Sequence, residues 1–297
     1  MRIFLTGATG FIGTAIVPEL LNAGHQVLGL ARSDAGAKSL AAAGVDVHRG
    51  DLEDLDSLRR GAALSDGVIH TGFIHDFSRF RENCEIDQRA IEALGSPLAN
   101  SKRPLIITSG TAMAKVERGA PATETDAPAP SKTVPRAASE EAAAAVAARG
   151  GRVMVVRLAQ IHDTTKQGMV SPAIELARQK RISAYVGDGL NRWPAAHRLD
   201  TARLYRLVLE KGAANARYHA VAEAGVSMRE IAEVIGQILQ VPVVSLAPEE
   251  AARHFGWLAP FAGWDMPASN ARTREQLGWN PTGPSLLADL RNFSGER

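Results

Sequence analysis

Arg2-Ile3-Phe4-Leu5-Thr6-Gly7-Ala8-Thr9-Gly10-Phe11-Ile12-Gly13 is the stretch whose reading decides the fold, and it continues into Thr14-Ala15-Ile16-Val17-Pro18-Glu19-Leu20-Leu21. An apolar run passes through three glycines to a second apolar run, which reads as strand, tight turn and helix. The free N–H groups and the positive dipole end of such a helix converge on one point, and that point suits a pyrophosphate. Gly7 fits the tight turn, Gly10 leaves room for phosphate oxygens against the backbone, and Gly13 allows the helix to pack closely on the strand. A glycine-rich connection without a ligand accounts less well for the preceding strand, the following helix and the N-terminal position together. Thr6, Gly7, Thr9, Gly10, Phe11, Ile12 and Gly13 are therefore the expected cofactor cradle.

Downstream the alternation repeats. Asn22-Ala23-Gly24 ends the first helix with Gly where a left-handed turn is needed, and Gln26-Val27-Leu28-Gly29-Leu30-Ala31 is a second buried strand. A site for NAD places an acid after this strand to take the ribose hydroxyls, whereas Arg32 and Ser33 offer charge and a hydroxyl to a 2′-phosphate. Asp34 follows closely, so NADP is expected over NAD without NAD being excluded. Residues 45–48, 67–71, 104–109 and 152–157 read as further strands, separated by helical patterns over 54–63, 79–94 and 137–149. Such alternation predicts an α/β fold with a doubly wound parallel sheet and right-handed crossovers.

Ligands bind such sheets at the carboxyl edge, so Phe73, His75 and Phe77 are candidate pocket residues. His70 reads as a satisfied strand-end histidine. The Pro- and Ala-rich stretch 119–135 is expected to be an irregular loop over the same edge. Ser171-Pro172, the apolar face of 201–211 and the capping box Ser227-Met228-Arg229-Glu230 predict helices of a smaller substrate lobe. The expected division is a dinucleotide-binding domain over 1–165 and a mostly helical substrate-binding lobe over 166–297, with some segments returning to the main sheet.

The 297 residues are 45% hydrophobic and 22% charged, and the formal net charge of +2 comes from interleaved acids and bases, which argues against nucleic-acid binding. The first strand begins almost at Met1, which leaves no room for a leader, no apolar run reaches membrane-spanning length, and Cys84 is the only cysteine. A cytoplasmic protein without disulfides, membrane contact or a metal site is expected.

The spacing Thr-Gly-x-x-Gly-x-x-Gly resembles that of the extended short-chain dehydrogenase/reductases, and the likeness covers nearly the whole chain. It implies that Asp51-Leu52 contacts the adenine and that Thr71 and Gly72 lie over the diphosphate and ribose. Gln160, in Arg157-Leu158-Ala159-Gln160, corresponds to a segment near the nicotinamide. Tyr185-Val186-Gly187-Asp188-Gly189 with Trp193-Pro194-Ala195-Ala196-His197-Arg198-Leu199-Asp200 resembles the family's second-lobe signature and Thr273-Arg274-Glu275-Gln276-Leu277-Gly278-Trp279-Asn280-Pro281 its closing segment, so Trp193 and His197 are expected to line the pocket.

The family's proton donor is the Tyr of Tyr-x-x-x-Lys, and here it is absent: Tyr185, Tyr205 and Tyr218 all fall in the second half. The register set by Glu140 places Arg136 in the Lys position and Lys132 in the Tyr position. At the fifth strand, Gly110 stands where the usual hydroxyl would be, flanked by Ser109 and Thr111. The chain thus resembles an atypical subgroup with a basic pair in place of Tyr-x-x-x-Lys, and Lys132, Arg136, Ser109 and Thr111 are its expected catalytic set.

An NADPH-dependent reductase of a small carbonyl or imine is the expected activity. Its alternatives are an NADP(H)-binding sensor without turnover and a sugar-nucleotide epimerase or dehydratase. A small-molecule substrate is the expected partner, and family members often dimerise through a helix pair.

Overall fold

Residues 1–117 and 119–295 are described by the computed structural model. Its main sheet opens with β1 (Arg2–Thr6), β2 (Gln26–Ala31), β3 (Asp46–Arg49), β4 (Gly67–His70), β5 (Pro104–Gly110) and β6 (Arg152–Leu158). Three short strands, β7 (Gln160–His162), β8 (Ser183–Val186) and β9 (Arg192–His197), lie outside it, and β10 (Arg217–Ala220) returns to pair with β6. The sheet has seven strands in the order β10-β6-β5-β4-β1-β2-β3, every pair parallel. The strand order reverses between β1 and β4, so the crevice at a topological switch point opens where β1 hands over to the glycine turn.

Helices cover both faces. They are α1 (Gly13–Asn22), α2 (Asp34–Ala42), α3 (Leu55–Ala63), α4 (Phe80–Gly95), α5 (Ala138–Ala148), α6 (Val170–Lys180) and α7 (Arg198–Lys211). Side chains alternate along β1: Ile3 and Leu5 join the core beneath α1 and α7, and Phe4 joins the core beneath α3, α4 and α5. A Cβ built on Gly61 of α3 would come within 2.3 Å of the Phe4 ring, so that helix lies directly on the strand. The helix α2 escapes the sequence pattern because its apolar face is short. It is started by Ser33, whose hydroxyl accepts the Gly36 N–H at 3.1 Å.

The remaining elements are β11 (Glu223–Ser227), β12 (Val243–Leu246), α8 (Met228–Leu239), α9 (Pro248–Phe255), α10 (Ala259–Ala262), α11 (Ala271–Leu277) and α12 (Leu286–Arg291); α11 packs on α7 and β10 with Leu277 in the main-sheet core, and the others form the second lobe. Strand β9 is central in the sheet β11-β9-β7, and β12 pairs with β8. The Ser227–Glu230 capping box opens α8, whereas α6 begins at Val170, one residue before Ser171, whose hydroxyl instead accepts the Gln167 N–H at 2.9 Å. Because α7 packs on α1 and β10 joins β6, residues 198–220 belong spatially with the main sheet although they follow residue 166 in sequence. No helix among the described residues is long and apolar enough to cross a membrane.

Candidate functional site

The three glycines of the turn answer to different demands. Gly7 has φ +69°, and a Cβ on it would fall 2.7 Å from both the Gly72 nitrogen and the Thr71 hydroxyl. A Cβ on Gly13 would lie 2.0 Å from the Gly7 carbonyl oxygen. The protein's own backbone therefore forbids side chains at both positions. A Cβ on Gly10 would touch only the Gly7 carbonyl, its oxygen at 3.1 Å, and the open side of Gly10 fits an approaching phosphate. Thr71 donates its hydroxyl hydrogen to the Thr6 carbonyl at 2.8 Å, and the Gly72 N–H donates to the Thr6 hydroxyl at 3.2 Å, which seats β4's exit on the turn. Thr9 and Gly10 are exposed, and Phe11 and Ile12 are half-buried.

At the other end of the cradle, Arg32 leaves its side chain 80% exposed, with Nε 3.8 Å from Asp51. Asp34 is held by Arg49 at 2.7 Å, and Arg49 also donates to the Ser33 carbonyl at 2.6 Å. The acid nearest the end of β2 is thus already paired. Leu52 closes this rim, its Cδ2 3.1 Å from where a Cβ on Gly72 would be.

Beneath the turn runs a buried chain of polar groups. The Thr6 hydroxyl meets His70 Nδ1 at 2.7 Å, and His70 Nε2 meets Asp87 Oδ1 at 2.9 Å. Thr6 accepts from Gly72, so its own hydrogen is directed to Nδ1, and the imidazole donates from Nε2 to the carboxylate. Asp87 Oδ2 accepts from Arg136 Nη1 at 2.8 Å and from the Ser139 hydroxyl at 2.5 Å, and Arg136 also meets Ser139. Burial alone would raise the Asp87 carboxyl, but the Arg136 guanidinium and His70 outweigh it and hold it below the usual carboxylate range. Arg136 donates further to the Thr108 carbonyl at 3.1 Å, and its guanidinium carbon lies 4.3 Å from the centre of the Phe73 ring. The signal for Asp87 was present in the sequence: an acid on the apolar stripe of α4 shared by Ile91 and Leu94 requires a buried partner.

The remaining expected residues scatter. Thr111 is buried, its hydroxyl 3.4 Å from the Leu158 carbonyl. Ser109 is buried one position along β5 from Thr108, whose hydroxyl faces Tyr205 at 2.6 Å. Tyr205 sits wholly in the core, where burial pushes its phenol well up, so it does not replace the missing tyrosine as an acid. Lys132 is exposed on a turn and makes no hydrogen bond or ion pair among the described residues. Gln160 accepts the Met169 N–H at 2.9 Å and so shapes the turn after β7. Arg157 is fully buried, forked on Glu140 at 2.7 and 2.8 Å, and donates to the Asp126 carbonyl at 2.9 Å, which ties the Pro-rich loop to the sheet.

Two pocket expectations are corrected. Trp193 is fully buried in the second-lobe core, with its indole N–H donating to the Phe261 carbonyl at 3.2 Å, because β9 is the central strand of its sheet. His197 caps α7 by accepting the Leu199 N–H at 3.3 Å and lies 3.7 Å from Asp289, so it is tied into structure. Phe73 and Phe77 both pack on Phe80 at the start of α4, with ring centres 6.4 and 5.8 Å away. Phe77 stacks on Trp257 at 4.8 Å and 15°, bridging the two lobes. His75 packs edge-on to Phe73 at 5.3 Å, and burial, then Lys166 and Arg136, hold its imidazole below the ordinary value.

Strand order, glycine turn and crevice define the chain as a Rossmann-like α/β protein. Residues 3–222 match the NAD dependent epimerase/dehydratase family, and the chain belongs to it. It is 47% identical over 291 residues to an uncharacterised protein of Schizosaccharomyces pombe, covering 98% of each chain. It is 44% identical over 299 residues to an uncharacterised protein of Saccharomyces cerevisiae, covering 99% of each. It is also similar to the crystal structure of the Thermus thermophilus UDP-glucose 4-epimerase in complex with NAD, at a TM-score of 0.75 and 20% identity over 99% of this chain and 97% of that one.

Proposed function

We propose that this protein is an NADP(H)-dependent reductase acting on a small carbonyl or imine. The observation that carries this reading is Arg136, a permanently protonated fork fixed by Asp87 at 2.8 Å and laid over Phe73 at the mouth of the glycine turn. A dinucleotide held by the glycine turn would supply a hydride to the substrate carbon, with a proton added to the substrate's oxygen or nitrogen. Arg136 orients the nicotinamide ribose or the substrate oxygen, and Lys132, four residues before it, gives the proton. Arg32, with its exposed guanidinium, and Ser33 take the 2′-phosphate.

An epimerase or dehydratase needs a base to remove a hydroxyl proton. A protonated Arg136 is unsuited to that role, and Tyr205 is sealed in the core. The missing tyrosine favours one other reading, a cofactor-binding sensor without turnover. NADPH oxidation against a panel of ketones, aldehydes and imines, with wild type and Lys132→Ala, separates them. The proposal expects turnover that collapses in the variant. Tight NADPH binding with no oxidation of any substrate supports the sensor instead. In parallel, Arg32→Ala is expected to weaken NADPH about tenfold with NADH nearly unchanged, and equal losses would remove the 2′-phosphate assignment.

A further inference from the structure

A cleft of about 850 Å³ opens between the segment that follows β5 and the second lobe, beginning at Ala112 beside Thr111 and reaching Val134, two residues before Arg136. Its volume would admit a nucleotide sugar, so its chemistry decides what it takes. A nucleoside diphosphate brings two negative charges, which proteins meet with forked arginines or a surplus of lysines. Among the described lining residues, Lys115 is the one cation, and Glu117 and Asp188 share the lining with it. A third acid, Asp265, is spent on Arg192, which grips it at 3.0 and 2.8 Å.

Two further polar groups of the wall are engaged within the fold. The Asn191 amide donates to the Ala262 and Trp264 carbonyls at 3.0 and 3.3 Å, and Asp188 accepts the Leu190 N–H at 3.0 Å. What remains toward the opening is apolar: Leu190 is 63% exposed, and Val116 and Trp264 are each 41% exposed. Three large apolar side chains left in water around one cleft mark a place where apolar surface is buried on binding.

We infer that the cleft receives the apolar tail of an uncharged carbonyl compound and rejects nucleoside diphosphates, an inference that rests on the reductase reading above. The tail lies along Val116, Leu190 and Trp264, and the carbonyl points past Ala112 toward Arg136.

The test uses the full chain with NADPH and straight-chain aldehydes of increasing length. We expect kcat/KM to rise about threefold to fourfold per added methylene until the cleft is filled. Leu190→Asn and Trp264→Gln are expected to flatten that rise. Turnover that is independent of chain length overturns the inference while leaving the reductase reading intact. A second measurement does not require turnover: calorimetric titration of the NADP⁺-loaded protein with unreactive N-alkyl formamides of the same lengths, and with UDP-glucose. Affinity that grows with chain length and no uptake of UDP-glucose supports the cleft assignment even if no aldehyde is reduced. Length-independent affinity, or saturable UDP-glucose binding that Leu190→Asn weakens, overturns it.

Discussion

Beneath the glycine turn, Thr6, His70, Asp87, Arg136 and Ser139 form one chain of hydrogen bonds at 2.5–2.9 Å, and its His70 and Asp87 are almost wholly buried. Across the cleft, Val116, Leu190 and Trp264 stand in water. The first region spends its chemistry on itself and holds a cation in one place. The second leaves its chemistry unspent. A buried charge network tolerates little change, because removing one member strands the others in a low-dielectric interior. An exposed apolar rim tolerates much, because its side chains make few contacts within the fold. The difference teaches where stability and where substrate choice reside.

The glycine turn gives the largest expected effect. Gly13→Ala sets a methyl carbon 2.0 Å from the Gly7 carbonyl, and a backbone clash of that depth is expected to cost more than about 4 kcal/mol or prevent folding. Gly10→Ala meets only the Gly7 carbonyl, its oxygen at 3.1 Å. It is expected to fold with near-native urea stability and yet lose at least about tenfold in dinucleotide affinity, as measured by fluorescence titration. If the two variants behaved alike, the distinction between a packing glycine and a ligand-facing glycine would fail.

Next comes the network itself. Asp87→Ala leaves Arg136 and His70 without their shared carboxylate and is expected to lose about 3–5 kcal/mol in urea denaturation. Leu190→Ala on the opposite rim is expected to stay within about 0.5 kcal/mol of wild type. A large stability loss at Leu190 would show that the rim is structural after all.

A smaller effect is expected from His219 on β10, whose Nδ1 pairs with the Ser269 carbonyl at 2.8 Å while Nε2 has no hydrogen-bond partner among the described residues. Burial lowers its pKa to about 4, against the pull of Glu124 and with help from Arg157. The unfolded chain takes up a proton on this ring below about pH 6.5, whereas the folded chain does so only near about 4. The unfolded state therefore binds more protons in that window, and stability falls as pH is lowered through it. From about pH 7 to about pH 5 the contribution of His219 to that loss is about 2 kcal/mol, and His219→Gln is expected to lose correspondingly less. An identical pH dependence in the variant would remove the assignment.

The same contrast explains what the sequence disclosed. Gly7 and Gly13 were legible because a turn between a strand and a helix imposes a local steric rule, and the doubly wound sheet followed from period and punctuation. Arg136 was legible only by its spacing from Glu140. Its anchor Asp87 lies 49 residues away in sequence, and no local pattern pairs residues across that distance. Trp193 was misplaced because a tryptophan beside polar residues gives no sign of which face of a strand it occupies, and the short strands around it carry too few residues to set a period. The cleft wall is assembled from segments near 115, 190 and 264, each unremarkable alone.

The most direct measurement of the central claim follows the hydride. NADPH carrying deuterium at the transferred position of its nicotinamide, incubated with the protein and the best aldehyde of the series, is predicted to yield an alcohol one mass unit heavier by mass spectrometry, with deuterium on the former carbonyl carbon. An alcohol without deuterium, or no alcohol from any member while NADPH stays tightly bound, would contradict the assignment of this chain as a reductase.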